Sequence, residues 1–392
     1  MSKKSPETTL TKEVVLEEKT TSIQTGAQQT STYLSLLKGK KIGVVANQTS
    51  VIYHTEQHSE AKQTHLVDSL LSQNIEVIKV FAPEHGFRGK ADAGEIVKDG
   101  KDTKTGLPIL SLYGKNKKPS AEQLSGIDLM IFDIQDVGAR FYTYISTLHY
   151  IMEACAENNI SLLILDRPNP NGHYTDGPIL EKEHKSFVGM HPIPIVHGMT
   201  IGEYAKMING EKWLENGTQS EITIIECANY SHDKSYDLPI KPSPNLPNAQ
   251  SINLYPSLCL FEGTPISVGR GTNKQFQVIG EPGADKKQFS FYFTPQPNEG
   301  AKHPKHEGKA CYGYDLSKAE KKNKLDLSYL IEFYRQMETT EGFFKPFFVK
   351  LAGTKKLQEQ IEAGLSEEEI KASWKEGLDH YNTIRKQYLL YQ

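Results

Sequence analysis

Apolar residues fall along the chain in short runs separated by amphipathic stretches. The run over 41–47, bounded by glycine and asparagine, predicts a buried strand, and 75–81, 107–112, 127–132 and 161–165 repeat its Val, Ile and Leu texture. A helical stretch over 32–37 precedes the first strand, and 65–72 and about 142–158 carry apolar residues at helical spacing. Alternating strands and helices predict parallel pairing, because each crossover must return over a face of the sheet. Strands this continuously apolar suit a sheet covered on both faces. A further strand is expected to end at Ile195-Val196, followed by Thr200 as N-cap, Glu203 in the capping-box position and a helix to about Asn209. Residues 222–227 read as another strand.

The proline-rich stretch 239–256 is not expected to form a regular helix and reads as a crossing between domains. Beyond it the texture changes: 291–293 and 312–316 suggest sheet, while 327–337, 355–363 and 366–388 suggest helices, the last opened by a Ser366 and Glu369 capping box. The expected architecture is α/β: a Rossmann-like, doubly wound, mostly parallel sheet over 31–245, with a smaller α+β domain over 246–392. A polar leader over 1–30, expected to be disordered, precedes both.

Composition narrows the functional classes. A chain of 392 residues has enough length for two domains. Lys and Arg total 45 against 48 Asp and Glu, so no basic excess points to a nucleic-acid partner. Cys155, Cys227, Cys259 and Cys311 lack C-x-x-C spacing and are expected to be buried thiols. No apolar run approaches the ~20 residues of a membrane span. The leader also lacks the apolar core of an export signal. A tether or mature N-terminus fits it, which suggests a chain exported, periplasmic or lipid-anchored after signal removal; a cytoplasmic chain is the alternative.

In an open parallel sheet, ligands gather beyond the carboxyl ends of the strands. Those ends carry Asn47-Gln48-Thr49-Ser50, Pro83-Glu84-His85-Gly86-Phe87-Arg88-Gly89, Asp133-Ile134-Gln135-Asp136-Val137-Gly138-Ala139-Arg140, Asp166-Arg167-Pro168-Asn169-Pro170 and His197-Gly198. Any one of these loops reads equally well as a turn. Repeated at five strand ends, with Glu, His and Arg included, they point to a working crevice. The dinucleotide fingerprint and the phosphate loop are both missing, and Gly269-Arg270-Gly271-Thr272 lacks a strand-to-helix setting. No nucleotide cofactor is expected. His303 and His306 with Cys311 have loose ligand spacing in a Lys-rich segment and read as surface residues; Asp133 and Asp136 beside Glu84 could hold a hard cation but equally serve acid and base chemistry. No metal is expected.

Paired carboxyl groups can hydrolyse a glycoside, one protonating the leaving oxygen while the other activates water or stabilises the oxocarbenium-like transition state. Glu84 is the acid candidate, because it follows a buried strand, is pinned by Pro83, and partial burial would favour its protonated form. Glu95, Asp133 and Asp136 compete for the second role.

These segments, together with Ala93-Gly94-Glu95, Phe141-Tyr142-Thr143-Tyr144, His197-Gly198-Met199-Thr200 and Phe261-Glu262-Gly263-Thr264, resemble the NamZ-type exo-β-N-acetylmuramidases, a family long known only as a domain of unknown function. The resemblance runs from about Lys41 to the C-terminus. It implies a Rossmann-like domain, a smaller C-terminal domain and an active cleft between them. It also implies release of N-acetylmuramic acid from non-reducing ends of peptidoglycan fragments without a cofactor, with the catalytic glutamate in Pro-Glu-His-Gly, hence Glu84.

That substrate has a lactyl carboxylate, which suits a guanidinium fork. Arg140 and Arg270 are the candidates, with Arg88 and Arg167 behind them. Tyr142, Tyr144 and Tyr255 could stack on sugar faces, and Asn245, set between prolines, could bind hydroxyl or acetamido groups. Asn47, His85, Asp166, His197 and Glu262 complete the substrate-binding candidates. The acetamido oxygen could also attack the anomeric carbon, with Asp133 or Asp136 orienting the amide. The alternatives are a non-catalytic cell-wall sugar binder, or another Rossmann-like hydrolase assisted by a metal.

Overall fold

The computed structural model of the chain describes residues 22–53, 63–88, 99–114, 116–337 and 340–392. Its strands are β1 (Lys41–Ala46), β2 (Val51–Tyr53), β3 (Gln63–His65), β4 (Glu76–Ala82), β5 (Gly100–Lys101), β6 (Pro108–Ser111), β7 (Leu129–Asp133), β8 (Ser161–Leu165), β9 (Ile222–Ile225), β10 (Val278–Glu281), β11 (Phe291–Phe293) and β12 (Cys311–Asp315). Seven of them form one sheet in the order β5-β6-β4-β1-β7-β8-β9, parallel except for the β5–β6 edge pair. Successive side chains of a strand point to opposite faces. Ile42, Val44 and Ala46 of β1 accordingly join one core with Tyr33, Leu37, Leu66 and Leu70 from the helices Thr30–Leu37 and Leu66–Ser72. Val45 joins the other, which lies beneath the helices Tyr144–Glu157 and Ile201–Gly210. This is the expected doubly wound α/β sheet.

The second core continues without a break into the C-terminal part, through Tyr255 and Phe276 to Phe333 and Phe348. That part holds the antiparallel sheet β10-β12-β11 and the helices Ser328–Gln336, Pro346–Ala352, Lys356–Glu362, Glu367–Ala372 and Lys375–Arg385. All four cysteines are buried and unpaired. No helix among the described residues is long and apolar enough to cross a membrane.

Three expectations are corrected. Ile195-Val196 is no strand: Val196 makes only isolated bridges to Ala139 and Asp176, because Pro192 and Pro194 remove the donors a ladder needs. The proline-rich crossing contains a regular helix, Ala249–Leu258, capped by the Asn248 side chain, which accepts from Ser251 N at 2.9 Å. Pro256 lies inside it, and the Ile252 carbonyl that a residue-256 N–H would have bonded accepts instead from Asn171 Nδ2 at 3.2 Å. The single helix expected over 366–388 is broken at 373–374, where the chain turns and buries Trp374. The hairpin β2–β3, strand β10 and the helix Pro346–Ala352 were not foreseen.

Candidate active site

From β1 the chain winds to β4 and β6 on one side and to β7, β8 and β9 on the other, so the loops after β1 and β7 meet at a switch point. Here those loops bind each other. Asn47 Oδ1 accepts from Thr49 N at 2.9 Å and Thr49 Oγ1 at 2.6 Å, Gln135 N donates to Thr49 Oγ1 at 3.1 Å, and Ser50 Oγ donates to the Asp133 carbonyl. Arg167 grips Asp133 through two bonds of 2.6 and 3.0 Å. Asp166 accepts from Thr200 Oγ1, Tyr391 Oη, Gly202 N and Arg167 N at 2.7–3.0 Å, and burial pushes its carboxyl up to about 6. Asn47, Asp133, Asp166 and Arg167, expected at the substrate, are therefore fully or almost fully buried framework.

Arg140 is corrected likewise. Its guanidinium is wholly buried and donates to the carbonyls of Pro178, Ile193, Leu351 and Ala352 at 2.7–3.0 Å, leaving no terminal nitrogen for a sugar acid. Burial lowers its pKa to about 9. Arg88 is bound to Asp102 at 2.7 Å and lies 3.6 Å from Asp68, away from the cavity described below. Asp136 accepts from Gly138 N at 2.7 Å and faces His197 Nε2 at 3.5 Å. His197 Nδ1 accepts from Met199 N at 3.3 Å, so Nε2 bears the ring hydrogen and points at Asp136. Both are buried and neither lines the cavity. Asp133 and Asp136 thus do not reach a substrate as second carboxylate or amide orienter. Among the described residues, neither Asp133, Asp136 and Glu84 nor His303, His306 and Cys311 group closely enough to share a metal. Glu95 lies outside the described residues.

What the structure does bring together is a cavity of about 260 Å³ between the two parts of the chain. Glu84, His85, Tyr142, Tyr144 and Asn245 line it from the Rossmann-like side, and Tyr255, Glu262 and Arg270 from the other. Glu84 sits just beyond β4 in a tight turn closed by Gly86 N to the Pro83 carbonyl at 3.0 Å. His85 takes the left-handed position of that turn, φ 71°, with its ring buried. Half-buried Glu84 receives a hydrogen bond from Thr143 Oγ1 at 2.8 Å on Oε2. Tyr113 is its other neighbour: burial, then the charge of Glu84 and a hydrogen bond to it, raise the Tyr113 pKa.

Glu262 lines the same cavity and accepts from Arg270 Nε at 3.0 Å. The terminal nitrogens of Arg270 make no hydrogen bond to the protein among the described residues. Tyr142, Tyr144, Tyr255 and Phe276 form an edge-to-face aromatic wall with centroids 4.9–5.8 Å apart. The Tyr142 hydroxyl donates to the Pro242 carbonyl at 2.9 Å, so that ring serves as wall. Sequence reasoning missed Thr143, Tyr113, Phe276 and Cys259; Thr143 was visible inside the Phe-Tyr-Thr-Tyr motif, but its partner was not. A neighbouring cavity of about 350 Å³ shares Glu262 and Arg270 with the first.

A Rossmann-like domain and a smaller α+β domain closing on two glutamates, a guanidinium and an aromatic wall define a glycoside hydrolase site. The chain belongs to the NamZ exo-β-N-acetylmuramidase family. Residues 42–250 match the family model described as "Exo-beta-N-acetylmuramidase NamZ, N-terminal", and 253–391 match its C-terminal counterpart. The chain is 39% identical over 385 residues to the "Peptidoglycan beta-N-acetylmuramidase NamZ" of Bacillus subtilis (strain 168), covering 92% of this chain and 89% of that protein. Crystal structures of two DUF1343 family proteins from Bacteroides fragilis NCTC 9343 are similar as well. One is 47% identical with a TM-score of 0.86, covering 94% of this chain and 99% of its own. The other is 26% identical with a TM-score of 0.80, covering 95% and 100%. The enzyme is an exo-β-N-acetylmuramidase, as its motifs implied.

Proposed function

We propose that the enzyme acts on peptidoglycan-derived fragments and releases N-acetylmuramic acid from their non-reducing ends, with Glu84 as proton donor and Glu262 as the second carboxylate. The observation that carries this reading is the placement of Glu84, held by its turn and by Thr143 at a cavity that Glu262 also lines. Glu84 gives its proton to the glycosidic oxygen as the bond to the anomeric carbon breaks. Water adds its oxygen to the anomeric carbon and gives up a proton; Glu262, on the same cavity, either takes that proton or stabilises the oxocarbenium-like carbon while Glu84 takes it. The terminal nitrogens of Arg270, without a hydrogen-bond partner among the described residues, suit the lactyl carboxylate. Arg270 therefore takes the place that the sequence shared between it and Arg140.

Lys305 reinforces that preference for an anion. Its ammonium donates to the carbonyls of Phe261, Thr264 and Ile266 at 2.7–3.2 Å, and it lies within the field of Glu262, Arg270 and Lys345. The test is hydrolysis of a disaccharide with N-acetylmuramic acid at its non-reducing end. Wild type releases the free sugar acid, and Glu84→Gln is slower by about 10²–10⁴-fold. Absence of product from wild type, or full activity in Glu84→Gln, contradicts the reading. NMR of the first-formed anomer then assigns retention or inversion.

A further inference from the structure

Among the groups facing the cavity, Asn245 stands apart. It is 1% exposed, and its Nδ2 donates to the Gly300 carbonyl at 2.6 Å. Its Oδ1 is buried and has no hydrogen-bond partner. The amide cannot be turned round, since exchange of the two atoms would press oxygen against the Gly300 carbonyl oxygen. The orphan atom is therefore an acceptor. A backbone turn holds it in place: Asn245 N donates to Ser243 Oγ at 3.2 Å and Leu246 N to the Ser243 carbonyl at 3.1 Å, with Pro244 and Pro247 on either side. A buried acceptor without a donor is unfavourable unless a ligand or a bound water supplies one.

Resting on the muramidase reading, we propose that Asn245 Oδ1 accepts the N–H of the substrate's 2-acetamido group and makes the enzyme selective for N-acetylated sugars. A single acceptor calls for a group that only donates. An amide N–H has no lone pair of its own to satisfy, whereas a hydroxyl would turn its lone pairs toward the neighbouring wall. That wall is apolar: Leu246, Tyr255, Cys259 and Phe276 line the same cavity as Asn245 and form a surface on which an acetyl methyl group can rest. A site built around one amide N–H rejects analogues that lack it, because the acceptor is then left buried and unpaired.

The experiment crosses the residue with the substrate group. Wild type and Asn245→Ala are compared on three aryl β-muramides bearing 2-acetamido, 2-(N-methylacetamido) or 2-hydroxyl. Wild type is expected to lose at least about tenfold in kcat/KM on either change at the 2-position. Asn245→Ala is expected to lose a similar factor on the acetamido substrate and to be nearly indifferent to N-methylation. The ratio between substrates is taken within one preparation, so partial misfolding of the variant cancels. If that variant does not fold, Asn245→Ser carries the same crossed comparison, since N-methylation also adds bulk. Equal losses of Asn245→Ala on all three substrates, or wild-type indifference to N-methylation, overturn the assignment while leaving the muramidase reading intact. Absence of turnover by wild type on every substrate refutes that reading itself.

Discussion

Thr143 and Glu84 illustrate how the site is set residue by residue. Glu84 is carried by a tight turn whose left-handed position falls on His85, where a non-glycine residue costs of order 1 kcal/mol. The Thr143 hydroxyl then fixes one carboxyl oxygen at 2.8 Å. Thr143→Val keeps the shape and removes that bond, so kcat is expected to fall about 3–10-fold with KM and thermal midpoint nearly unchanged; a stability loss without a kcat effect would show Thr143 to be structural. Asp102 makes a second residue-scale case. Burial pushes its carboxyl up, but bonds from Arg88 and Thr105 outweigh this and hold it at about 2. The unfolded chain therefore takes up the proton first as pH falls. The Arg88–Asp102 contribution is complete above about pH 4 and is lost as pH falls through about 2. Urea midpoints across that range should fall with pH in wild type, and Arg88→Met should flatten this part of the profile. The sequence ranked Arg140 with Arg270 and set Arg88 behind them. Only the tertiary partners separate them: a carboxylate pair, four buried carbonyls, and a cavity.

At the scale of elements, the apolar runs located the central strands well, since each strand's alternation is dictated by two buried faces. Short elements were less legible. The hairpin β2–β3 and strand β10 have three or four residues each, too few to show a period. The helix Ala249–Leu258 was hidden by Pro256, because its compensation comes from Asn171, 81 residues away in sequence. Asn171 Nδ2 also donates to the Val137 carbonyl at 2.9 Å, tying this helix to the loop after β7. Asn171→Ala should destabilise the fold by about 1–3 kcal/mol, read as a shift in denaturation midpoint. A shift below about 0.5 kcal/mol, the level of an ordinary surface change, would mean the proline is accommodated by other means.

For the whole molecule, a single core and one buried arginine join the two parts. Arg140 links the strap carbonyls of Pro178 and Ile193 to those of Leu351 and Ala352 at the end of the helix Pro346–Ala352. Gly353 follows at φ 76°, where a Cβ would lie 2.5 Å from an Arg140 nitrogen. Arg140→Met leaves four carbonyls without their donor, and a loss of about 3–5 kcal/mol is expected in calorimetry or urea unfolding; a neutral result would remove Arg140 as the clamp. The cleft was foreseen as a place and Glu262 as a substrate-binding residue, but not in the role of second carboxylate now proposed for it. Glu262 sits on a segment far along the chain from the strand ends, and only folding carries it to the cavity that Glu84 lines. The role of Glu84 is tested most directly by leaving-group dependence. Glu84→Gln should lose about 10²–10⁴-fold on a disaccharide whose departing alcohol needs a proton, and far less on an activated nitrophenyl muramide that does not. Equal losses on the two substrates would contradict proton donation by Glu84.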